Sequence, residues 1–372
     1  MPNRLCKSLR IYRNIMEKIQ KELSDIALDI TEEQYRADPA LSYSTLSRYE
    51  REGFDKLDSL FDQISTPSLT QGSMVDSLIT GGEDEFNERF YVADFPSLGD
   101  KECQIADALF ENHSGTCAGF SAIPKQDILA VANQIGFYGN WKDDTRVKVL
   151  TERCSAYYNL KYLAGSRTIV DTDTYNKVLA MVNALKESES TKNYFMPDNP
   201  FDNIRRYYQL KFKATLEDVD YRCMADLIVV SYDHKKIIPC DLKTSFHSEW
   251  EFQDSFRQWR YMIQSVLYWS IIRANLDKDP YFKDFELENY RFIVVNKESL
   301  TPLVWEFPFT QFKGTLVDEY GKEYRNPLEI GKELRHYLDD RPKVPDGIDI
   351  NGINIIDCLK PKEEQKNEDK SI

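Results

Sequence analysis

Two short stretches decide how this chain folds: Met224-Ala225-Asp226-Leu227 and Cys240-Asp241-Leu242-Lys243-Thr244. The first lies in Tyr221–Tyr232, whose apolar run predicts a β-strand, and the second ends Lys236–Leu242, which reads as its hairpin partner. Side chains alternate between the faces of a strand, so Asp241 and Lys243 project from one face and Leu242 from the other. Buried charges are costly unless they are paired or bind a metal. Two carboxylates and a lysine at these strand ends therefore predict a site for a divalent cation and a water nucleophile.

The remaining patterns predict an α/β body in which helices come first, strands follow and a long helix comes next. Helical spacing covers Ser42–Leu60, a segment from near Gly72, Lys125–Ile135, Asp143–Lys161, Thr172–Lys186, Glu251–Ala274 and part of Gln311–Leu338. Strand patterns cover Tyr208–Glu217, Tyr221–Tyr232, Lys236–Leu242, Tyr290–Asn296 and Leu303–Phe307. The expected fold is an α/β sandwich with a central mixed, mainly antiparallel sheet flanked by helices.

Three regions follow one another along the 372 residues. Residues 1–41 are expected to form an amphipathic helix and a connector, and residues 42–340 one continuous α/β domain. Residues 341–372 form a C-terminal extension whose charged, almost apolar-free end is expected to be disordered.

The composition, 41% hydrophobic and 13% aromatic, is typical of a globular protein without a membrane-spanning segment. Seven cysteines without a CxxC pair predict reduced thiols and a cytoplasmic location, and they argue against zinc fingers. The net charge of −14 argues against general attraction to nucleic acid but leaves room for a local basic groove.

Asp226 and Asp241 supply the hard oxygen ligands that Mg²⁺ prefers, and the backbone carbonyl of Leu242, between the side chains of Asp241 and Lys243, is a further candidate ligand. Lys243 is placed to orient or deprotonate an attacking water, or to neutralise charge on a phosphate. The alternative is a surface hairpin with an exposed Asp–Lys ion pair of little energetic value.

The helix after the hairpin adds Gln264 and Tyr268, which share one face because they are four residues apart. They are placed to hold DNA next to the metal, whereas the alternative is a buried tyrosine hydrogen-bonded to a glutamine. Arg257, Arg260 and Tyr261 precede them in an alternation that suits phosphate contact and base stacking. The alternative there is a set of core aromatic and solvent-exposed arginine side chains.

Together, Ala225-Asp226-Leu227, Asp241-Leu242-Lys243-Thr244 and Gln264-x-x-x-Tyr268 resemble the PD-(D/E)XK nuclease superfamily in its RecB-like branch. The similarity is closest to RecE-type (exodeoxyribonuclease VIII-like) phage and prophage exonucleases. These begin with a Leu-Ser-x-Ser helix, as in Leu41-Ser42-Tyr43-Ser44, which adds Ser44 to the candidate DNA contacts. Further motifs match at Gly72-Ser73-Met74-Val75-Asp76-Ser77-Leu78 and Glu85-Phe86-Asn87-Glu88-Arg89-Phe90.

The resemblance implies a restriction-endonuclease-like core and a DNA exonuclease that uses one or two Mg²⁺ or Mn²⁺ ions. It also implies 5′→3′ degradation of double-stranded DNA ends in phage-type recombination, a homo-oligomer, and a single-strand annealing recombinase as partner. Asp76 stands where the family usually has a histidine metal ligand, so Asp76 is a candidate ligand in its place. The carboxylates of Asp76, Asp226 and Asp241 are then expected to converge within metal-bridging reach. Glu217 is a candidate for a further acidic residue from the preceding strand, and the alternative is a turn residue beside Asp218 and Asp220.

Two other functions remain open at this point. One is a nuclease of another role in the same superfamily, such as a restriction-type endonuclease. A cysteine-cluster adaptation nuclease is disfavoured because Cys358 alone follows the Gln264 helix. The other is a catalytically inactive DNA-binding or assembly protein that keeps the fold, which Asp76 favours and the intact Asp226, Asp241 and Lys243 set disfavours.

Overall fold

The computed structural model describes residues 21–62, 66–95, 98–117, 119–199, 201–245 and 247–356. The predicted helix at the start of residues 1–41 and the end of the 341–372 extension lie largely outside these ranges. The helices are α1 Glu32–Ala37, α2 Tyr43–Glu52, α3 Pro67–Thr80, α4 Gly82–Arg89, α5 Asp100–His113, α6 Lys125–Gln134, α7 Asp143–Ala164, α8 Thr172–Glu187, α9 Lys192–Phe195, α10 Phe252–Trp259, α11 Tyr261–Lys278 and α12 Pro327–Asp340. The strands are β1 Phe90–Val92, β2 Thr168–Val170, β3 Ile204–Leu216, β4 Val219–Ser231, β5 Lys236–Ser245, β6 Glu286–Leu287, β7 Tyr290–Asn296, β8 Leu303–Phe307, β9 Leu316–Val317 and β10 Glu323–Tyr324.

The central sheet has the order β3-β4-β5-β7-β8, with the short β6 also paired to β5. The β3–β4, β4–β5 and β7–β8 pairs are antiparallel, whereas β5 runs parallel to β6 and β7. The mixed, mainly antiparallel sheet predicted from the sequence is therefore confirmed, together with the hairpin of β4 and β5. The parallel β5–β7 pair requires a crossover, which α10 and α11 supply.

Helices cover both faces of this sheet. On one face, α2, α11 and α12 bury a large apolar cluster that includes Leu46, Leu267 and Ile330. On the other face, α3 and α8 bury a second cluster that includes Met74 and Val182. The strands of the sheet thus have buried residues on both sides, which explains why β4 and β7 read as nearly continuous apolar runs.

The helices α5, α6 and α7 form a unit with its own buried cluster, which includes Leu109, Leu150 and Tyr158. This unit lies in the chain between β1 and β2, which pair with each other in parallel from Phe90–Thr168 to Val92–Val170. The short strand pair was not predicted from the sequence, because three-residue strands carry too little periodicity to recognise. The helix α5 was not predicted either.

Three predicted helices have different limits in the structure. The helix expected over Ser42–Leu60 ends at Glu52, because Gly53 has a left-handed φ of 77°, and a separate 3₁₀ helix covers Phe54–Ser59. The helix expected from near Gly72 begins five residues earlier, at Pro67, where the Thr66 hydroxyl accepts a hydrogen bond from the Leu69 amide. The helix expected over Glu251–Ala274 is two helices, α10 and α11, because Arg260 between them has a left-handed φ of 60°. Within the described ranges, no helix combines the length and apolar character that a membrane crossing needs.

Candidate active site

The site forms where β4 and β5 separate. Their ladder ends at the pair Leu227–Cys240, and from Cys240 onward β5 pairs with β7 instead. Asp226 and Asp241 are the next residues beyond this last pair, so both carboxylates border the gap between the strands. Asp226 Oδ2 accepts a hydrogen bond from the Leu242 amide at 3.0 Å and thereby replaces the missing strand partner.

Asp241 is buried at 2% exposure and has two polar neighbours. Gln264 Nε2 donates a short hydrogen bond to Asp241 Oδ1, and Lys243 Nζ lies 2.6 Å from Asp241 Oδ2. Leu242 packs instead against the cluster on the opposite side of the sheet. The predicted alternation of these three consecutive β5 positions is therefore present, and α11 carries Gln264 onto the face that holds Asp241 and Lys243.

Asp76 approaches the same region from α3. The neighbours Met74 and Val75 are fully buried, which fixes this helix against the sheet, and Gly72 lets it pass close to β5. A Cβ atom at Gly72 would lie 3.3 Å from Thr244 Oγ1, so a larger residue would fit only if the Thr244 side chain or α3 shifted by a few tenths of an ångström. Asp76 Oδ1 accepts a hydrogen bond from Gln209 Nε2 at 2.8 Å.

The three carboxylates influence one another electrostatically. Burial raises the pKa of Asp226 well above its ordinary value, and the charges of Asp241 and Asp76 raise it further. Burial also raises the pKa of Asp76 to about 6, against the opposing effects of Arg89 and the Gln209 hydrogen bond. Mutually repelling carboxylates of this kind are stabilised by a bound cation.

Lys243 is held as a cation. Burial alone would lower its pKa, but Asp241, Tyr261, Tyr43 and Asp226 together outweigh burial, so the pKa lies above its ordinary value. The ammonium also lies 4.5 Å from the centre of the Tyr261 ring, which favours the charged form through a cation–π contact. Among the roles predicted for Lys243, this environment favours charge neutralisation and water orientation over removal of a proton.

The two residues predicted from the Gln-x-x-x-Tyr spacing have different surroundings. Gln264 is buried, and its Oε1 atom has no hydrogen-bond partner among the described residues. Tyr268 is 8% exposed and packs in the main core, with its ring 6.1 Å from that of Tyr290. The predicted contact of Tyr268 with DNA is not supported by this position, because the helix face that presents Gln264 to Asp241 continues into the core one turn later.

The predicted DNA contacts are mostly engaged within the protein. Arg257 pairs with Asp254 at 2.6 Å, and the Arg260 guanidinium lies 4.9 Å from the centre of the Tyr324 ring. Tyr261 belongs to an aromatic cluster beside Lys243 rather than to an exposed basic surface. Ser44 is exposed in the first turn of α2, as a DNA contact requires.

Glu217, the candidate for a further acidic residue, is not part of the site and takes its alternative role, that of a turn residue. Glu217 lies in the turn between β3 and β4, and its carboxylate is 2.7 Å from Lys332 Nζ. The residue that reaches the site from β3 is Gln209, through its hydrogen bond to Asp76. A single polar residue within an otherwise regular strand pattern gave no signal that it faces the carboxylates.

Glu249 anchors the loop that follows Lys243. Its buried carboxylate accepts hydrogen bonds from the backbone amides of Asn296 and Thr301, both at 3.0 Å, and a short one from the Ser299 hydroxyl. Burial would raise the pKa of Glu249, but these hydrogen bonds hold it below its ordinary value. The loop between β7 and β8 is therefore tied to the end of β5 by one ionised side chain.

The donor set suits a hard cation. Within the described ranges, no three His, Cys, Asp or Glu side chains already stand together as a metal centre, so the convergence expected for Asp76, Asp226 and Asp241 is not preformed. Mg²⁺, however, is usually held by one or two carboxylates and keeps several waters. Asp226 and Asp241 meet that requirement. The Leu242 carbonyl faces the same gap as its amide, because both groups of a residue point to one edge of a strand.

No model of a protein family matches the chain, and no curated protein matches it. Among solved structures, the chain is similar to a protein of Eubacterium rectale described as a "putative exonuclease". The two are 14% identical with a TM-score of 0.39, over 84% of this chain and 85% of the other. Because this similarity is so low, the function is inferred from the geometry of the site.

Proposed function

We propose that this protein is a metal-dependent deoxyribonuclease that hydrolyses phosphodiester bonds of DNA. The observation that carries the proposal is the grouping of Asp226, Asp241, Lys243 and Gln264 where β4 and β5 separate. Two carboxylates, a protonated lysine and a buried amide at one gap combine cation binding with stabilisation of negative charge.

Each residue has a role that follows from its surroundings. Asp226 and Asp241 would hold Mg²⁺ or Mn²⁺, with the Leu242 carbonyl and Asp76 as further ligands. When bound, the ion supplies Lewis-acid charge that activates water and stabilises the leaving oxygen. The Lys243 ammonium orients the attacking water and neutralises charge that develops on the phosphate.

Gln264 positions the Asp241 carboxylate and takes no part in the chemical step itself. Its amide donates to Asp241 Oδ1 and fixes the direction in which the carboxylate points. Removing a residue that hydrogen-bonds to a metal ligand typically lowers metal affinity or activity by about 10–100-fold. Gln264 is only 3% exposed, so water does not compete for its hydrogen bond to Asp241.

More specifically, we propose that the protein is a 5′→3′ exonuclease that acts on double-stranded DNA ends in phage-type recombination. It rests on the resemblance of the sequence motifs to RecE-type exonucleases. A homo-oligomeric state and a single-strand annealing recombinase as partner are proposed on the same basis. A restriction-type endonuclease shares the carboxylates and the lysine, and an inactive DNA-binding protein would share the fold alone.

A digestion assay in Mg²⁺ or Mn²⁺ compares end-labelled linear DNA with closed circular DNA. We expect degradation of the linear substrate alone, complete inhibition by EDTA, and no cleavage by Asp241→Ala or Lys243→Ala. Lys235→Ala, in the exposed turn between β4 and β5, is the matched control and should cleave normally. Cleavage of circles would favour the endonuclease, and DNA binding without cleavage of either substrate would refute a catalytic role.

A further inference from the structure

Gln209 adopts a backbone conformation that is unusual for its position. It lies within β3, yet its φ is +52°, a left-handed value that a residue with a Cβ atom rarely takes inside a strand. The ladder continues on both sides through the pairs Tyr208–Leu227 and Leu210–Ala225, while no pairing is made between Gln209 and Asp226. Conformations of this kind persist where the surrounding structure holds them, often at functional sites.

Both strands reverse their faces at this point. In β3, Leu210 packs with the cluster under α11, whereas Tyr208, two residues earlier, packs with the cluster under α3. In β4, Ala225 and Leu227 show the same change. Regular alternation would place residues two apart on one face, so each strand contains a local irregularity of the β-bulge type.

The irregularity has a specific result at the site. It turns the Gln209 side chain toward α3, where Nε2 donates to Asp76 Oδ1 at 2.8 Å. Asp76 is half-buried and experiences the charges of Glu85 and Asp241. An amide donor stabilises a carboxylate and limits its rotation without adding charge of its own.

We propose that Gln209 is a positioning residue that holds the Asp76 carboxylate toward Asp226 and Asp241 for cation binding. The proposal rests on the proposed metal-dependent function and extends it to a residue in a strand outside the Asp-Leu-Lys motif. Because the side chain of Asp76 is short, Gln209 would supply the orientation that its carboxylate on α3 requires.

The test measures Mn²⁺ binding by calorimetry, without DNA, for the wild type, Gln209→Met and Asp76→Ala. Met has nearly the shape of Gln but no donor, so Gln209→Met should weaken Mn²⁺ binding about 10-fold. Lys235→Ala is the control, because Lys235 also has a left-handed φ, +50°, but lies in an exposed turn. Gln209→Ala serves as a second substitution if the methionine variant fails to fold.

The double variant Gln209→Met/Asp76→Ala decides whether Gln209 acts through Asp76. If it does, adding Gln209→Met to Asp76→Ala causes no further loss of Mn²⁺ affinity, because contacting residues are non-additive. A full additional 10-fold loss would overturn the proposal, and so would wild-type affinity in Gln209→Met. Absence of Mn²⁺ binding by the wild type would instead refute the proposed metal-dependent function.

Discussion

Replacing Asp76 by asparagine should stabilise the metal-free protein. The pKa of Asp76 is raised from 3.8 to about 6 in the fold, so the carboxylate is ionised at neutral pH at a cost. A shift of one pKa unit corresponds to about 1.4 kcal/mol, which makes the cost about 3 kcal/mol at pH 7.5. Asparagine keeps an acceptor for Gln209 Nε2 but carries no charge, so it removes this cost.

The effect has a defined pH dependence. Between pH 3.8 and 6 the folded protein binds a proton at Asp76 that the unfolded chain has released, so its stability falls as the pH rises. The gain from Asp76→Asn should therefore be about 3 kcal/mol at pH 7.5 and about half of that at pH 5. For 372 residues, about 2.1 cal/mol/K of unfolding entropy per residue converts the larger value to a rise of about 4 °C in Tm.

Scanning calorimetry in EDTA at pH 5 and pH 7.5 measures this difference directly. Asp84→Asn, an exposed substitution on α4, is the matched control and should leave Tm unchanged at both pH values. Adding Mn²⁺ should raise the Tm of the wild type more than that of Asp76→Asn. A lower Tm for Asp76→Asn at pH 7.5, or a gain that is equal at both pH values, would refute the electrostatic reasoning.

Three further substitutions test the site and its support. Gln264→Leu removes the donor to Asp241 and should lower kcat in Mg²⁺ about 10–100-fold; a wild-type kcat would contradict the positioning role. Glu249→Ala leaves buried amides without an acceptor and should cost about 2–4 kcal/mol in urea unfolding, whereas the exposed Glu298→Ala should change stability by less than about 0.5 kcal/mol. Gly331→Ala should cost about 1–3 kcal/mol, because its Cβ would overlap the Tyr221 ring, while Gly115→Ala meets nothing within 4 Å; equal unfolding midpoints would contradict this packing argument.

Strand patterns predicted the centre of this fold well. Tyr290–Asn296 and Leu303–Phe307 match β7 and β8 at both ends, because both runs are rich in the β-branched and aromatic residues that favour strands, in the buried β7 and in the edge strand β8 alike. The same patterns placed Asp241 and Lys243 on one face of β5, where their side chains form an ion pair. Local alternation was sufficient for both results.

The features that could not be predicted from the sequence depend on packing between residues far apart in the chain. Arg260 ends α10 with a left-handed conformation that usually falls to glycine or asparagine, and its guanidinium lies against Tyr324, 64 residues later. Gln209 likewise depends on irregularities in two paired strands, which no short window of residues records. Tyr268 shares a helix face with Gln264, but the depth of that face could not be predicted from spacing alone.

The pairing of β1 with β2 has a consequence for how this protein can vary. The two strands lie side by side, so the chain enters and leaves the α5–α7 unit at neighbouring points of the fold. Doubling the length of the segment between β1 and β2 would add only about 0.6 kcal/mol to the free-energy cost of loop closure. Insertions, deletions or exchange of this helical unit should therefore accumulate between relatives while the spacing of Asp226, Asp241 and Lys243 stays constant.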